Sequence, residues 1–522
     1  MIVITSAAYV GMEFRAEVGK IPPVMLPVGN KRLLDHQVAV LKDRFPNERI
    51  YLSLPEGYLL SKKDKLNISK YKIKIVSVPV DISLGDSVLY VINSIGEYDN
   101  VIRLLHGDTL IYDMPLEGNI ISVSKTSDDY NWEVENRTLS EETVWSGYFS
   151  FNSPKSLIRL LTTSKGSFVD AVRMYHDLNK MNVTEVSEWL DFGHVNSYFK
   201  SRSKIYTHRY FNYMKVENGK VIKSSHNVEK ISAERLWFES IPEAVRFYTP
   251  QIIGHGNLSS ENIYYELEYL SCLPLNEIFV HAVNPPFYWL KIFKHLEKFL
   301  KNNVDCSIQL INNKNSKTLI KTANLLVVDK TKKRVNEYIE QSSKDFNIPT
   351  KLNGVDLPSL NDVIDDCISK IDDKSHVFGV LHGDLCFSNI LYDTRSDRIK
   401  VIDPRGIDAE GNFSYLGDLR YDLAKINHSV IGLYDHIVSG AYDLTESNDL
   451  NFEFEIFIDE RISKIQKIYI ENMKLSHLTP LNLIPETILL FLSMLPLHKD
   501  SLDRQNAFIA NSLRLYQEYI VN

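Results

Sequence analysis

Cysteine is scarce: Cys272, Cys306, Cys367 and Cys386 are the only four in 522 residues. None forms a C-x-x-C pair, so a structural zinc site and a disulfide framework are not implied, and a reducing cytosol is expected. Neither charge sign dominates. The 59 Lys and Arg against 67 Asp and Glu leave a formal charge of −8. That is the wrong sign for a nucleic-acid coat, so no nucleic-acid partner is expected, although a local basic cleft for a nucleotide stays open. Long hydrophobic runs are missing too. The most apolar stretch, Leu481 to Leu497, contains Glu486 and two prolines. It fails the ~18–20 residue requirement for a membrane span. The opening MIVITSAAY lacks the basic, then apolar, pattern of a secretory signal. A cytoplasmic protein is expected.

What is present is ordinary globular composition, 44% hydrophobic and 24% charged. Such a chain buries enough apolar surface to offset its ordering entropy, which excludes disorder as the main state. At roughly 100–200 residues per domain, its length argues for about three structural units. Ile2 to Thr5 reads as a buried strand feeding a turn. Asp35 to Phe45 has helical spacing, and Ile50–Leu54, Lys72–Val78 and Val101–Leu105 read as further strands. Strands alternating with helices indicate an α/β layer with a mostly parallel sheet. From Ile205 the pattern changes to antiparallel strands, with Asn218-Gly219 as a hairpin turn. From Ala282 onward the period is mainly helical, except around VFGVLHGDLCFSNILYD and Ile399–Ile402. The polar stretch Lys301 to Ser316 reads as an exposed connection. The main boundary is expected at Ser197–Lys204, giving domains 1–200, 201–275 and 276–522.

The strongest local signal is HGDLCFSNILYD followed by IKVIDPRG. It sets His382, Asp384, Asn389 and Asp403 in loops beside short strands. Phosphoryl transfer from a nucleotide needs a carboxylate near the acceptor hydroxyl, with an amide oxygen and a second carboxylate to hold magnesium on the phosphates. These residues resemble the aminoglycoside phosphotransferase and choline kinase family, relatives of protein kinases. The resemblance implies Asp384 as catalytic base, Asn389 and Asp403 as Mg2+ ligands, and His382 as the residue that holds the loop. ATP is the implied donor, and a small alcohol or sugar the implied acceptor. Asp418 and Asp422 follow in GDLRYDLAKINHS, where family members carry a mostly structural helix.

Such a kinase also needs a cation on the α- and β-phosphates, held by a carboxylate. Lys223 and Glu234 are read as that pair, with Lys220 and Lys230 as competitors. Glu268 and Leu270 in YELEYLSCLPL offer backbone groups to an adenine. A glycine-rich phosphate loop is absent before Lys223. Arg405 stands next to the magnesium loop, where phosphate contact and a structural salt bridge are equally open. For a choline-like cation, Trp237, Trp289, Tyr415 and Tyr421 are the aromatic candidates.

The opening AAYVGMEFRAEVGKIPPVMLPVGNKRLLDHQ resembles sugar-1-phosphate nucleotidyltransferases. Further marks follow in order: Leu84-Gly85-Asp86-Ser87, His106-Gly107-Asp108, Trp145 to Phe149, and Trp189 to Gly193. The resemblance implies a doubly wound nucleotide-binding sheet, Gly11, Arg15 and Gly85 near the nucleotide, and Asp108 and Asp191 on a metal. CTP or another nucleoside triphosphate would be the substrate. Three departures stand out: Glu13 replaces the signature arginine, Pro23 the phosphate-binding lysine, and Tyr9 a loop glycine. Arg15, Lys20, Lys31 and Arg32 are the nearby cations. His194, His36, Gln37 and Cys386 read as structural.

The fold class read from the whole is therefore α/β: a nucleotidyltransferase-like domain, then a bilobal kinase-like domain. The function expected is a small-molecule kinase whose fused first domain activates the phosphomonoester for surface polysaccharide synthesis. A kinase with a non-reacting first domain, and a non-catalytic assembly protein, are the alternatives. Homo-oligomerisation is left open.

Overall fold

The computed structural model describes residues 1–129, 133–205, 213–259, 262–312, 316–342, 344–372 and 374–521. The chain divides into two units, Met1–Ile205 with His281–Asn284, and Tyr206–Val280 with Pro285–Asn522. The boundary expected at Ser197–Lys204 instead lies inside a helix, Val195–Ile205. That helix is held in the first unit because Tyr198 and Arg202 are buried and both bond the Pro27 carbonyl, at 2.5 and 2.8 Å.

The first unit is built on a mixed sheet. Its strand order is Asn182–Glu185, Ile120–Thr126, Glu142–Phe151, Ile102–His106, Ile2–Thr5, Ile50–Pro55 and Lys74–Val78. Ile2–Thr5 pairs in parallel with both Ile50–Pro55 and Ile102–His106. Glu142–Phe151 runs antiparallel to both its neighbours. Ile2, Val3 and Ile4 are all fully buried, as expected of a strand covered on both faces. On one face Val3, Leu104, Phe149 and Phe151 pack with Val88, Val91 and Ile92 of the helix Leu84–Ile95. Leu157, Leu160 and Leu161 of Pro154–Thr163, with Ala171, Val172 and Tyr175 of Phe168–Asn179, complete that core.

The second unit opens with an antiparallel sheet in the order Tyr213–Glu217, Lys220–Ser225, Asn262–Glu268, Ile252–Ser259. Asn218 and Gly219 turn its first hairpin with φ of 50° and 73°, the left-handed pair that a two-residue hairpin requires. The helix Val228–Ser240 follows. The remainder is mostly helical around Arg420–Val430, in which every residue is buried. The apolar run noted in the sequence forms the buried helix Ile484–Ser493. Among the described residues no helix is long and apolar enough to cross a membrane. The sheet and the helices on either side of residue 275, expected as two lobes of one domain, belong to one compact unit.

Two expectations are corrected. The described part of Lys301 to Ser316 is exposed at Ile308 and Leu310, as expected, but it is helical rather than a connecting loop, and residues 313–315 lie outside the described residues. Pro286–Asp305 is one helix and Ile308–Asn312 another, and Asn303 and Ser307 are fully buried. Asn303 turns inward because its Nδ2 donates to the Val380 carbonyl at 2.9 Å, satisfying a buried backbone group. The helical period read from Ala282 onward is also interrupted by a four-stranded sheet, in the order Val355–Ser359, Pro349–Leu352, Asn451–Ile456, Tyr442–Asn448.

Candidate active site

The sequence between Phe378–Val380 and Ile390–Asp393 is short, polar and glycine-bearing, so it loops between two ladders. Asp422, at the start of the buried helix, fixes that loop. Its two carboxylate oxygens accept the backbone N–H groups of His382 and Gly383, each at 2.8 Å. His382 is wholly buried against Trp237, and burial pushes its imidazole down to about 4. The neutral ring sits between the Ile402 carbonyl at 3.0 Å and the Asp384 N–H at 3.3 Å. These partners assign Nε2 as donor and Nδ1 as acceptor. His382 thus ties the Asp384 loop to the Asp403 loop without carrying charge.

Asp384 is half-exposed. Burial opposes its ionisation, yet Lys425, 3.0 Å away, holds the carboxyl well below the usual carboxylate range. Asn389 donates from Nδ2 to the Asp384 carbonyl at 2.9 Å and to its carboxylate at 3.2 Å. That orientation leaves the amide oxygen of Asn389 as the ligand atom. The Ile402 N–H bonds the Asn389 carbonyl at 3.0 Å, which brings Asp403 alongside. Asp403 adopts φ of 56°, a conformation costly for a non-glycine residue. Gly406, three residues on, comes so close to the helix Val228–Ser240 that a Cβ would lie 2.2 Å from the Ala233 carbonyl.

Lys223 is buried with its ammonium 2.7 Å from Glu234 and 3.1 Å from Asp403. Tyr265 donates to the same Glu234 carboxylate at 3.0 Å. Of the competing lysines, Lys220 pairs with Glu266 at 2.9 Å and Lys230 stays 3.8 Å from Glu234. The structure therefore brings Lys223, Glu234, Asp403, Asn389, Asp384 and His382 into one site. An amide oxygen and a carboxylate are hard oxygen donors that suit Mg2+, which keeps waters and phosphates as its other ligands. Asn389 and Asp403 fit that ion. Glu268 ends the strand Asn262–Glu268; its N–H is bonded to the Gln251 carbonyl at 2.9 Å, and the Leu270 carbonyl accepts from Cys272 at 2.8 Å.

Three of the four aromatic candidates are not open to a cationic ligand, while Tyr415 is half-buried beside Phe413. Trp237 and Trp289 are fully buried in the core. The Tyr421 hydroxyl already accepts from the Lys330 ammonium at 2.8 Å, which puts that cation 5.2 Å from the ring centroid.

In the first unit, Ile102–His106 ends in Gly107-Asp108, and Thr109–Ile111 pairs antiparallel with Trp189–Asp191. Gly107 allows the close approach to the first strand: a Cβ there would lie 2.8 Å from the Thr5 carbonyl. Fully buried Gln37 spans the turn, donating to the His106 and Thr109 carbonyls at 3.1 and 2.7 Å. Asp108 and Asp191 converge on Gly193, where a Cβ would lie 2.9 Å from one carboxylate and 3.2 Å from the other. Burial, then the neighbouring Asp191, pushes the Asp108 carboxyl up to about 6. Two converging carboxylates fit a divalent cation. Among the described residues no group of three or more His, Cys, Asp or Glu could hold a metal.

Of the four cations expected to replace the missing arginine and lysine, Lys31 is exposed and the other three are engaged elsewhere. Arg15 donates to the Val10 carbonyl at 3.1 Å and Lys20 lies 4.3 Å over the Tyr9 ring. Arg32 is buried in an ion pair with Asp64 at 3.2 Å, a structural role that removes it as a phosphate ligand. A Cβ on Gly11 would meet nothing within 4 Å. Gly85 is buried, and its N–H points to the Gly166 carbonyl at 3.2 Å. A Cβ there would lie 2.6 Å from that oxygen, so Gly85 packs a helix start rather than offering an open backbone edge.

Sequence reasoning missed the weight of Asp422, and it missed Lys425 and Lys330 altogether. Only the position of Asp422 in the YDLA segment signalled it.

No family model and no curated protein matches this chain. Solved structures do. The nucleoside-diphosphate-sugar pyrophosphorylase of Vibrio cholerae RC9 is 14% identical, over 39% of this chain and 99% of that one, with a TM-score of 0.32. HddC of Yersinia pseudotuberculosis, complexed with GMP-PN, is 19% identical over 39% of this chain and 99% of that one, at 0.29. The aminoglycoside phosphotransferase APH(4)-Ia, as a thermostable mutant with AMP-PNP and hygromycin B, is 10% identical over 60% of this chain and 93% of that one, at 0.37. The chain thus has structural neighbours among both sugar nucleotidyltransferases and aminoglycoside phosphotransferases.

Proposed function

We propose that the second unit is an ATP-dependent kinase that phosphorylates a hydroxyl of a small polyol or sugar. The observation that carries this reading is the buried Lys223 ammonium shared between Glu234 and Asp403, with Asp384 tied to the same loops through Asn389. Lys223 would bind the α- and β-phosphates. Mg2+, held by Asn389 and Asp403, would neutralise charge on the phosphates. Asp384, exposed on one side, would take the acceptor's proton as its oxygen attacks the γ-phosphorus. The products would be a phosphomonoester and ADP. Incubation with Mg2+, ATP and a pool of alcohols and sugars tests this by ADP release. No ADP from any acceptor, together with no binding of Mg2+-nucleotide, would refute it.

For the first unit, the convergence of Asp108 and Asp191 supports a metal-dependent nucleotidyltransferase that activates the phosphomonoester, with CTP or another triphosphate, for a surface polysaccharide. Glu13, Pro23 and the engaged Arg15 and Arg32 favour a second reading, a unit that binds without reacting. A nucleotidyl-transfer assay run in both directions separates the two.

A further inference from the structure

Resting on the kinase reading, the charges beside Asp384 narrow the acceptor. Lys330 and Arg334 stand one turn apart on the helix Lys330–Ser342, so they share a face. A π-helical turn, Leu325–Asp329, runs directly into that helix; such turns are frequent at functional sites. The Lys330 ammonium contacts the Tyr421 hydroxyl at 2.8 Å, and Lys425 lies 6.0 Å over the same ring. Arg405 is anchored next to the loop by its backbone N–H, 2.8 Å from the His382 carbonyl. Of these four cations only Lys425 has a carboxylate partner, Asp384. Among the described residues no carboxylate stands within ion-pair distance of Lys330, Arg334 or Arg405.

The electrostatics agree with the geometry. Burial pushes the Tyr421 phenol up, yet Lys330, Lys425 and Arg405 together bring it down to about 8. Burial, aided by Arg405, Lys425 and Arg334 and opposed by Tyr421, brings the Lys330 ammonium down to about 8. Arg334 donates to the Ser493 carbonyl at 3.2 Å and feels Glu337 and Asp384, yet four cations against those two carboxylates leave an excess of partly buried positive charge, which is costly unless an anion completes it. The nucleotide phosphates have their own cation in Lys223, whose charged partners are Asp403 and Glu234 rather than this group. The uncompensated charge lies on the Asp384 side, where an acceptor must stand.

We propose that the acceptor carries an anionic group, phosphate or carboxylate, bound by Lys330, Arg334 and Arg405 beside Asp384. A choline-like or amino-sugar cation would be repelled there.

The test is calorimetry on the full chain saturated with Mg2+ and AMP-PNP, titrated with inorganic phosphate and separately with acetate. One of the two should bind, and the tighter identifies the acceptor's group. Lys330→Gln/Arg334→Gln should weaken that binding by about tenfold or more, while AMP-PNP affinity moves by less than about twofold. Lys330→Arg/Arg334→Lys, which keeps the charge, should restore it, so a folding defect in the first variant does not blur the result. Three outcomes overturn the proposal: neither anion binds, anion binding survives the neutral variant, or that variant loses nucleotide affinity instead. If the wild type fails to bind Mg2+-AMP-PNP, the kinase reading fails on its own, and the same titrations on nucleotide-free protein still decide the anion site.

Discussion

Lys425 stands 3.0 Å from Asp384, so the proposed base is ion-paired before an acceptor arrives. The pair orients one carboxylate oxygen, and Asn389 holds the other at 3.2 Å. Asp384→Asn removes the base at nearly constant volume. Phosphoryl transfer should fall by about a thousandfold, within the range of general-base catalysis. The partner left behind, Lys425, is 8% exposed and would become a buried charge without its carboxylate, so a stability loss of about 3 kcal/mol is expected beside the loss of rate. Steady-state kinetics and a thermal melt check both. Turnover near the wild-type rate would remove Asp384 from the mechanism.

Lys223 serves both fold and chemistry, and the two can be separated. Lys223→Met leaves Glu234, 3% exposed, as a buried charge without its main partner. The expected cost is about 3 kcal/mol or more. Lys223→Met/Glu234→Gln removes both charges and keeps an oxygen for the Tyr265 hydroxyl. It should recover most of the stability but none of the kinase activity. Urea titration and ADP release distinguish recovery of one from recovery of the other.

Glu486 sets a pH dependence on stability. Burial pushes its carboxyl from 4.5 up to about 7 in the folded state. Between those values the folded chain keeps a proton that the unfolded chain releases, so stability is highest below 4.5 and falls as pH rises towards 7. The full effect is up to about 3 kcal/mol. Asp422 and Asp435, raised to about 7 mainly by burial, act with the same sign. The difference between wild type and Glu486→Gln isolates one group: the variant should gain relative stability between pH 5 and pH 8. A constant difference across that range would contradict the assignment.

Asp108→Asn should leave kinase turnover within about twofold, because Asp108 and Asp384 belong to different compact units. Metal binding by the first unit should drop by about tenfold. Parallel ADP-release and manganese-binding measurements test this. A large loss of kinase rate would mean that the two units are coupled.

Local signals were legible and dispersed ones were not. Lys223 and Glu234 could be read because a strand end and the next helix lie close in sequence. The turn at Asn218-Gly219 was read, while Asn353-Gly354, with φ of 49° and 79°, was passed over. Its strand, Pro349–Leu352, also pairs in parallel with residues a hundred positions away, Leu352 facing Phe452; the alternation of NFEFEI in that distant strand was passed over with it. Within Lys301–Ser316 the polar residues Asn303 and Ser307 misled, because they are buried and satisfy backbone carbonyls, as Asn303 does at Val380. The basic group at Asp384 draws on positions 330, 334, 405 and 425, a set that no linear motif contains.

The most direct test of the central claim is phosphorus NMR on the wild type and Asp384→Asn, each with Mg2+, ATP and mixed polyols, sugars and their phosphate and carboxylate derivatives. A new phosphomonoester signal with ADP is expected in the wild type and neither in the variant. A phosphomonoester formed equally by both proteins would contradict it.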